Sequence, residues 1–279
     1  MTIISVSNQK GGPGKTTTSI QLVYRIAEHK KRVLVIDLDP QGNLTNYFLD
    51  RAKTNPDIVK EGSARLFLAN GDFEILPADL TTIGEREFYH DQIDVLPAHT
   101  HSLERLDRVD VFESVGHIVK RLPQLKALNY DAIVIDTGPQ IGVRQIGALL
   151  LSDHLITPIE VDCFSTEGLV KIAQMKEAAQ HQRKQIGFTD KSPHFHVYAN
   201  KISKQSITVR RDLINYRKFL GSAFLNSSMP HSQVVKDAIT IKRPVFKLAP
   251  NGNAASVGRQ FAVVLDELLQ RCNVISGEM

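Results

Sequence analysis

The chain has 279 residues, with 34 lysines and arginines against 30 acidic residues and a formal net charge of +4. Its 42% hydrophobic and 23% charged residues are typical of a globular protein, and two cysteines exclude a disulfide-stapled scaffold. The sequence has no apolar run near the roughly 20 residues that cross a bilayer and no signal-peptide pattern at its start, so we expect a cytoplasmic protein.

Short apolar strands alternate with helical patterns along the chain. We predict strands at residues 3–7, 33–36, 73–78, 93–98, 132–135, 154–160 and 195–200. The predicted helices cover residues 15–29, 103–122, 142–151, 166–182, 206–219 and 254–272. Continuous apolar strands separated by helices are typical of a parallel sheet covered on both faces. We therefore expect a doubly wound α/β fold in a single domain, residues 1–279.

A glycine-rich turn joins the first strand to the first helix, where a phosphate-binding loop belongs. It ends in the GK[ST] sequence of such loops, although the usual first glycine is missing. Its glycines let backbone amides converge on phosphate oxygens, Lys15 supplies a cation, and the Thr16 hydroxyl suits Mg²⁺. The turn therefore predicts a site for a nucleoside triphosphate, formed by Lys10, Gly11, Gly12, Gly14, Lys15, Thr16 and Thr17.

Three carboxylates end two of the predicted strands. Asp136 closes the strand AIVID, and Asp37 and Asp39 follow VLVI. Because parallel strands end at the same edge of a sheet, we expect all three near the phosphate loop. Asp136 fits the acid that holds Mg²⁺ through water, and a carboxylate from the second strand can contact the metal shell or orient an attacking water. The predicted Mg²⁺ residues are Thr16, Asp37 and Asp136.

Basic residues concentrate in residues 181–250, which contain 13 lysines and arginines against three acidic residues, a formal charge of +10. The rest of the chain therefore carries −6. This asymmetry is typical of a protein with one face toward nucleic acid, and a solvated basic surface on a pair of helices explains the charge equally well.

Three segments together resemble the ParA/MinD group of deviant Walker ATPases, above all the short ParA-type partitioning proteins. They are NQKGGPGKTTT, VLVIDLDPQGN and YDAIVIDTGP. The resemblance implies a Mg²⁺-dependent ATPase in which Lys10 reaches across a dimer interface to the partner's nucleotide. It also implies that Asp39 positions the hydrolytic water, that Asp37 lies in the adjoining switch, and that Asp136 is the Walker B acid.

The resemblance also covers the residues expected to contact the nucleotide base, and two residues of the sequence differ from those usual in the family. It implies that Asn200 contacts adenine and that Pro230 lies in the segment packed over the base. Pro13 replaces the more usual Val, Ile or Ser, and because it lacks an N–H we expect it to face away from phosphate. Gly138 follows Asp136-Thr137 where partitioning proteins commonly have Pro, which we expect to loosen the switch.

Other branches of the group fit less well. Iron–sulfur members need cysteine ligands, whereas Cys163 and Cys272 are isolated. MinD-type members end in a basic amphipathic helix that binds membrane. Here the apolar stripe of the last helix adjoins Asp266 and Glu267, so we expect core packing of its residues Phe261, Val264, Leu265, Leu268 and Leu269.

ParA-like proteins bind DNA nonspecifically as ATP dimers, through basic residues of their C-terminal half. The resemblance therefore implies a nucleoid-associated DNA-segregation ATPase, released from DNA when a ParB-like centromere-binding partner stimulates hydrolysis. The alternative is a MinD-like or cargo-positioning ATPase that acts on a membrane or protein surface, and a metabolic ligase or kinase fits Lys10 poorly. The candidate DNA-binding residues are Lys204, Arg210, Arg211, Arg217, Lys218, Lys242, Arg243 and Lys247.

Two histidine pairs have the spacing of metal ligands. His99 and His101, and likewise His194 and His196, lie on one face if their segments are extended. Because the sequence supplies no third ligand beside either pair, we expect no metal at these histidines.

Overall fold

A computed structural model of the chain defines eight strands and nine α-helices among the residues it describes. The described residues are 1–50, 61–80, 89, 91–140, 142–161, 174, 177, 181, 184–185, 193–203, 207–249 and 251–276. The strands are β1 (Thr2–Val6), β2 (Val33–Asp37), β3 (Leu76–Pro77), β4 (Ile93–Leu96), β5 (Ala132–Asp136), β6 (His154–Glu160), β7 (His194–Ile202) and β8 (Phe224–Pro230). The helices are α1 (Lys15–Glu28), α2 (Asn43–Phe48), α3 (Thr100–Arg105), α4 (Val111–Lys120), α5 (Leu122–Ala127), α6 (Val143–Leu151), α7 (Ile207–Leu220), α8 (Gln233–Thr240) and α9 (Gly252–Arg271).

All eight strands form one sheet in the order β3-β4-β2-β5-β1-β6-β7-β8. Every pairing is parallel except that of β3 with β4, which confirms the predicted doubly wound α/β fold. In the register of β2 with β5, Asp37 lies directly beside Asp136, and Val6 at the end of β1 lies on the other side of Asp136. The phosphate loop and both carboxylates therefore share the carboxyl edge of the sheet.

Alternate strand residues point into two separate cores. In β5, Ala132 and Val134 pack with α1 and α9, whereas Ile133 and Ile135 pack with α4 and α6. We call the side of α1 and α9 the first face and the opposite side the second face. Helix α7 packs on the second face. Its Tyr216 clusters with Val197 of β7, whereas the next strand residue, Tyr198, belongs to the first-face core, and successive strand residues point to opposite faces.

The last helix is a core element, as its apolar stripe predicts. Val264, Leu265, Leu268 and Leu269 are completely buried in the first-face core, and Phe261 is nearly so. The prediction of core packing is therefore confirmed.

Two predicted elements differ most from the structure, and several elements were missed. The predicted helix 103–122 is divided into α3, a 3₁₀ turn and α4, because the Asp110 carboxylate caps α4 by accepting a hydrogen bond from Glu113 N. The predicted strand 73–78 shrinks to β3, whose Pro77 has no N–H for further pairing. Strand β8 and helices α2, α5 and α8 were missed, and of the predicted helix 166–182 only residues 174, 177 and 181 are described.

Candidate nucleotide-binding site

The loop between β1 and α1 adopts a backbone that requires glycine. Gly12 and Gly14 have φ angles of 88° and 92°, in the left-handed region that residues with a Cβ seldom enter. A Cβ on Gly14 would also overlap the side-chain amide of Asn200. Asn200 Nδ2 donates a hydrogen bond to the Pro13 carbonyl at 2.7 Å, which fixes the loop against β7. Helix α1 begins directly afterwards at Lys15, with its free amides toward the loop.

The two lysines of the loop have different surroundings. Lys15 is buried, and its Nζ donates to the Lys10 carbonyl at 3.1 Å. Burial lowers the pKa of Lys15, while the carboxylates of Asp136 and Asp39 act in the opposite direction. The side chain of Lys10 is exposed. One lysine is thus held inside the site and the other is available to a molecule outside it.

Asp136 is tied to α1 by two hydroxyl groups. Thr16 Oγ1 donates to Asp136 Oδ2 at 2.8 Å, and Ser19 Oγ donates to Oδ1 at 2.7 Å. Burial, together with the charge of Asp37, raises the pKa of Asp136 to about 7, although both hydroxyl bonds oppose this rise. Ser19 lies one turn after Lys15, and the sequence pattern gave no indication of its role.

Asp37 and Asp39 are also fixed by their surroundings. Asp37 accepts hydrogen bonds from the backbone and hydroxyl of Thr45 at 2.8 and 2.7 Å. Burial raises the pKa of Asp37 to about 6 against those bonds. Asp39 is largely buried and lies against Gly138, where an added Cβ would be 3.3 Å from its Oδ1. Glycine at position 138 thus leaves room for the Asp39 carboxylate.

A cleft of about 490 Å³ adjoins the phosphate loop. The structure brings Asn200 and Pro230 together at this cleft with Gly12, Gly14 and Thr17, as expected for residues of one ligand site. Its volume and its mixture of polar and apolar walls suit a small organic ligand.

One wall of the cleft was missed by the sequence prediction. Helix α8 supplies Val235 and Ile239, and it is capped by Ser232 Oγ, which accepts a hydrogen bond from Val234 N at 3.3 Å. A serine followed by apolar residues at helical spacing is the signal that could have located it. Lys201 is a further missed residue, and its Nζ donates to the Gly12 carbonyl at 2.6 Å.

The predicted DNA-binding residues fall into two groups, apart from Lys204, which lies outside the described residues. The first group lies on α7, on the second face, and all four of its basic side chains are exposed to solvent. Positions 210, 214 and 217 follow helical spacing, so the basic residues surround Ile214, which is itself 63% exposed. This group consists of Arg210, Arg211, Arg217 and Lys218.

The second group lies on the first face and is partly engaged within the protein. Lys242, Arg243 and Lys247 are half-buried after α8, and the residues around Lys247 pack into the first-face core. Lys247 Nζ lies 2.7 Å from Glu28 Oε2. The described basic residues therefore divide between two faces, in contrast to the single face that their charge suggested.

Comparison with known proteins identifies the family. The family described as "AAA domain" matches residues 1–188 of the chain. An uncharacterized protein of Methanocaldococcus jannaschii is 31% identical over 92% of this chain and 95% of its own. The chain belongs to the ParA/MinD family of P-loop ATPases. Within this family it is similar to the chromosome-partitioning ATPase Soj of Thermus thermophilus, at 23% identity over 93% of both chains.

Solved structures share the fold of this ParA/MinD family member. A putative plasmid partition protein of Borrelia burgdorferi, bound to AMPPNP, has a TM-score of 0.70 at 21% identity and covers 96% of this chain and 99% of its own. Cobyrinic acid a,c-diamide synthase of Mycobacterium smegmatis, with ADP and magnesium, has a TM-score of 0.72 at 19% identity over 98% and 96% of the two chains. Among the described residues, no helix is long and apolar enough to cross a membrane.

Proposed function

We propose that this protein is a DNA-segregation ATPase whose ATP-bound dimer binds DNA nonspecifically and leaves it after hydrolysis. The observation that carries the proposal is a glycine-rich phosphate loop, ending in GK[ST], with one buried and one exposed lysine, Lys15 and Lys10. Its relatives in the partitioning branch of the family support the same role.

The described site fits ATP and Mg²⁺. Two buried carboxylates, Asp37 and Asp136, lie side by side with pKa values raised to about 6 and 7, an arrangement that a divalent cation stabilises. Thr16 and Asp136 would hold Mg²⁺, and Asp37 would support its shell. When bound, Mg²⁺ neutralises charge on the phosphate oxygens. The cleft lined by Asn200 and Pro230 would receive the base.

The positions of three residues support the roles that we propose for them in hydrolysis. Lys15 faces the ligand from within the protein, where burial keeps its charge poorly solvated and so favours a phosphate partner. Asp39 stands at the same edge and would orient the attacking water. Lys10, which is exposed, would contact the nucleotide of a second subunit.

Four exposed cations on α7 would bind DNA phosphates. Contacts of this kind are independent of sequence and weaken steeply with salt, by a slope of about 0.9 in log K against log salt for each phosphate contact. A ParB-like centromere-binding protein would stimulate hydrolysis and so release the DNA. Lys242, Arg243 and Lys247 remain candidates for a smaller share of the contact.

A salt series of DNA binding with ATP, ADP and no nucleotide tests the proposal. We expect ATP-dependent, salt-sensitive binding that Lys15→Ala and Lys10→Ala abolish, while Asp39→Ala keeps the ATP dimer on DNA. Lys10→Ala is expected to retain ATP binding and to lose dimerisation, measured by light scattering. A Lys15→Ala protein that still dimerises and binds DNA on addition of ATP would refute the proposal.

The DNA face is tested by charge reversal with a matched control. Replacing the four cations of α7 by glutamate should abolish DNA binding and leave ATP affinity unchanged. The control reverses four other exposed cations, Arg105, Arg108, Lys120 and Lys126, which lie on α3, α4, α5 and the adjoining 3₁₀ turn. Equal loss of binding in both variants would show that only net charge matters and would reject α7 as the DNA face.

A membrane-surface ATPase is the second candidate, and one feature of α7 favours it. Ile214 and Phe219 are 63% and 61% exposed beside the four cations, and apolar residues among cations suit an anionic lipid surface. Vesicles containing phosphatidylserine distinguish the two functions. ATP-dependent binding to vesicles that is lost in an Ile214→Ser, Phe219→Ser double variant, without binding to duplex DNA, would replace the DNA proposal.

A further inference from the structure

Three side chains that are far apart in sequence meet at the amino edge of the sheet. His154 begins β6, His196 lies in β7, and Cys272 caps the end of α9. One ligand atom of each, an imidazole nitrogen or the thiol sulfur, lies within 4.8 Å of the other two. Because β6 runs parallel to β1, this cluster is at the opposite edge from the phosphate loop, which follows the end of β1. It is therefore separate from the nucleotide site.

The cluster is enclosed by protein. His154, His196 and Cys272 are 5%, 7% and 0% exposed. His154 Nδ1 and His196 Nε2 form a hydrogen bond of 2.9 Å, and the two rings are stacked. The remaining ring nitrogen of His196, Nδ1, is buried and has no hydrogen-bond partner among the described residues. A buried polar atom without a partner is costly, so this site is not fully stabilised by the protein alone.

We propose that His154, His196 and Cys272 form a zinc-binding site. Imidazole and thiolate are preferred ligands of Zn²⁺, whereas the Mg²⁺ that accompanies ATP prefers oxygen, so Mg²⁺ would not occupy this cluster. Three protein ligands leave a fourth tetrahedral position for water. In a tetrahedral zinc site the ligand atoms are roughly 3.3–3.7 Å apart, from the usual Zn–N and Zn–S distances, so small side-chain adjustments would complete the geometry.

The protonation states of the cluster suit this ion. Burial and the neighbouring His154 lower the pKa of His196 to about 3, and burial also lowers that of His154, so both rings are neutral and can donate a lone pair at pH 7. Burial raises the pKa of the Cys272 thiol, so the free protein holds it protonated. A bound metal deprotonates a coordinating thiol, and zinc binding should therefore release about one proton per chain.

Titration of the metal-free full chain, with Mg²⁺ in excess and without nucleotide, tests the site. We expect one equivalent of Zn²⁺ to bind in competition with a chromogenic chelator, with a rise in the melting temperature. Co²⁺ in place of Zn²⁺ should give the near-ultraviolet thiolate-to-cobalt charge-transfer band, a signature that requires no variant. Buffers of different protonation enthalpy report the released proton by calorimetry.

Variants identify the ligands. Cys272→Ser and His196→Gln should each weaken zinc binding by more than about 100-fold, because the loss of an outer-shell partner alone costs roughly 10–100-fold. Cys163→Ser and His101→Gln are the matched controls, and they should bind zinc like the wild type. Retained Mg²⁺-ATP binding shows that each variant is folded.

The proposal fails on either of two results. One is a nucleotide-binding wild-type chain that takes up no zinc or gives a cobalt spectrum without the thiolate band. The other is zinc binding that persists in a folded Cys272→Ser variant, or that is lost equally in the Cys163→Ser control. Neither result bears on the proposed ATPase, because the nucleotide site lies at the other edge of the sheet.

Discussion

Replacing Asp136 by asparagine should stabilise the nucleotide-free protein in a pH-dependent way. The pKa of Asp136 is raised from 3.8 to about 7, mainly by burial and then by the charge of Asp37. The folded protein therefore keeps a proton that the unfolded chain loses between about pH 4 and pH 7, and its stability falls as pH rises through that range. The shift in pKa from 3.8 to about 7 means that ionising Asp136 costs roughly 4 kcal/mol more in the folded protein than in the unfolded chain.

Asparagine removes this charge and keeps much of the shape. The asparagine side chain can still accept a hydrogen bond from Thr16 or Ser19. Because the amide does not titrate, any stability that the variant loses through weaker hydrogen bonding is about the same at every pH. The stability of Asp136→Asn relative to the wild type should therefore grow by about 2–3 kcal/mol between about pH 5 and pH 8. Urea denaturation at several pH values, without nucleotide or Mg²⁺, measures this difference, and Mg²⁺-ATP hydrolysis should be lost in the same variant.

The half-buried carboxylate of Asp266 serves as a control of opposite sign. Burial alone would raise the pKa of Asp266, but its hydrogen bonds from Arg25 and His29 outweigh burial and lower it. The ionised Asp266 side chain therefore stabilises the folded protein at every pH above the pKa that this group has in the unfolded chain, and the stabilisation is lost only in acid. Asp266→Asn should consequently be less stable than the wild type by a similar amount from about pH 5 to pH 8. If Asp136→Asn showed the same flat difference, burial of the Asp136 charge would not be what destabilises the nucleotide-free site.

Three further predictions concern single positions. Gly14→Ala should weaken ATP binding at least about tenfold, because a Cβ is strained at φ 92°, and calorimetry showing unchanged affinity would contradict the loop geometry. Gly138→Ala should slow single-turnover hydrolysis by roughly 10–100-fold with unchanged ATP affinity, since its Cβ would press on Asp39; an unaltered rate would contradict the role proposed for Asp39. Leu265→Ala should lower the free energy of unfolding by about 2–5 kcal/mol, against less than about 0.5 kcal/mol for the exposed Val263→Ala, and urea denaturation that ranked the two equally would place Leu265 outside the core.

Local patterns in the sequence were enough to predict which edge of the sheet holds the candidate nucleotide site. The apolar strand before the glycine-rich turn, and the apolar strands that end at Asp37 and Asp136, each show their structure within a few residues. Parallel pairing then places the ends of these strands together, and the register of β2 with β5 confirms that the two carboxylates are adjacent. The same local periodicity predicted the buried stripe of α9.

Only the tertiary structure decided which distant side chains meet. His154 and His196 pair because β6 and β7 are neighbours in the sheet, and Cys272 joins them because α9 ends over these strands on the first face. The charge count could not divide the basic residues between two faces, since that division depends on which side of the sheet α7 packs. Strand order and helix placement arise from burial summed over the whole core, so short-range sequence patterns cannot specify them.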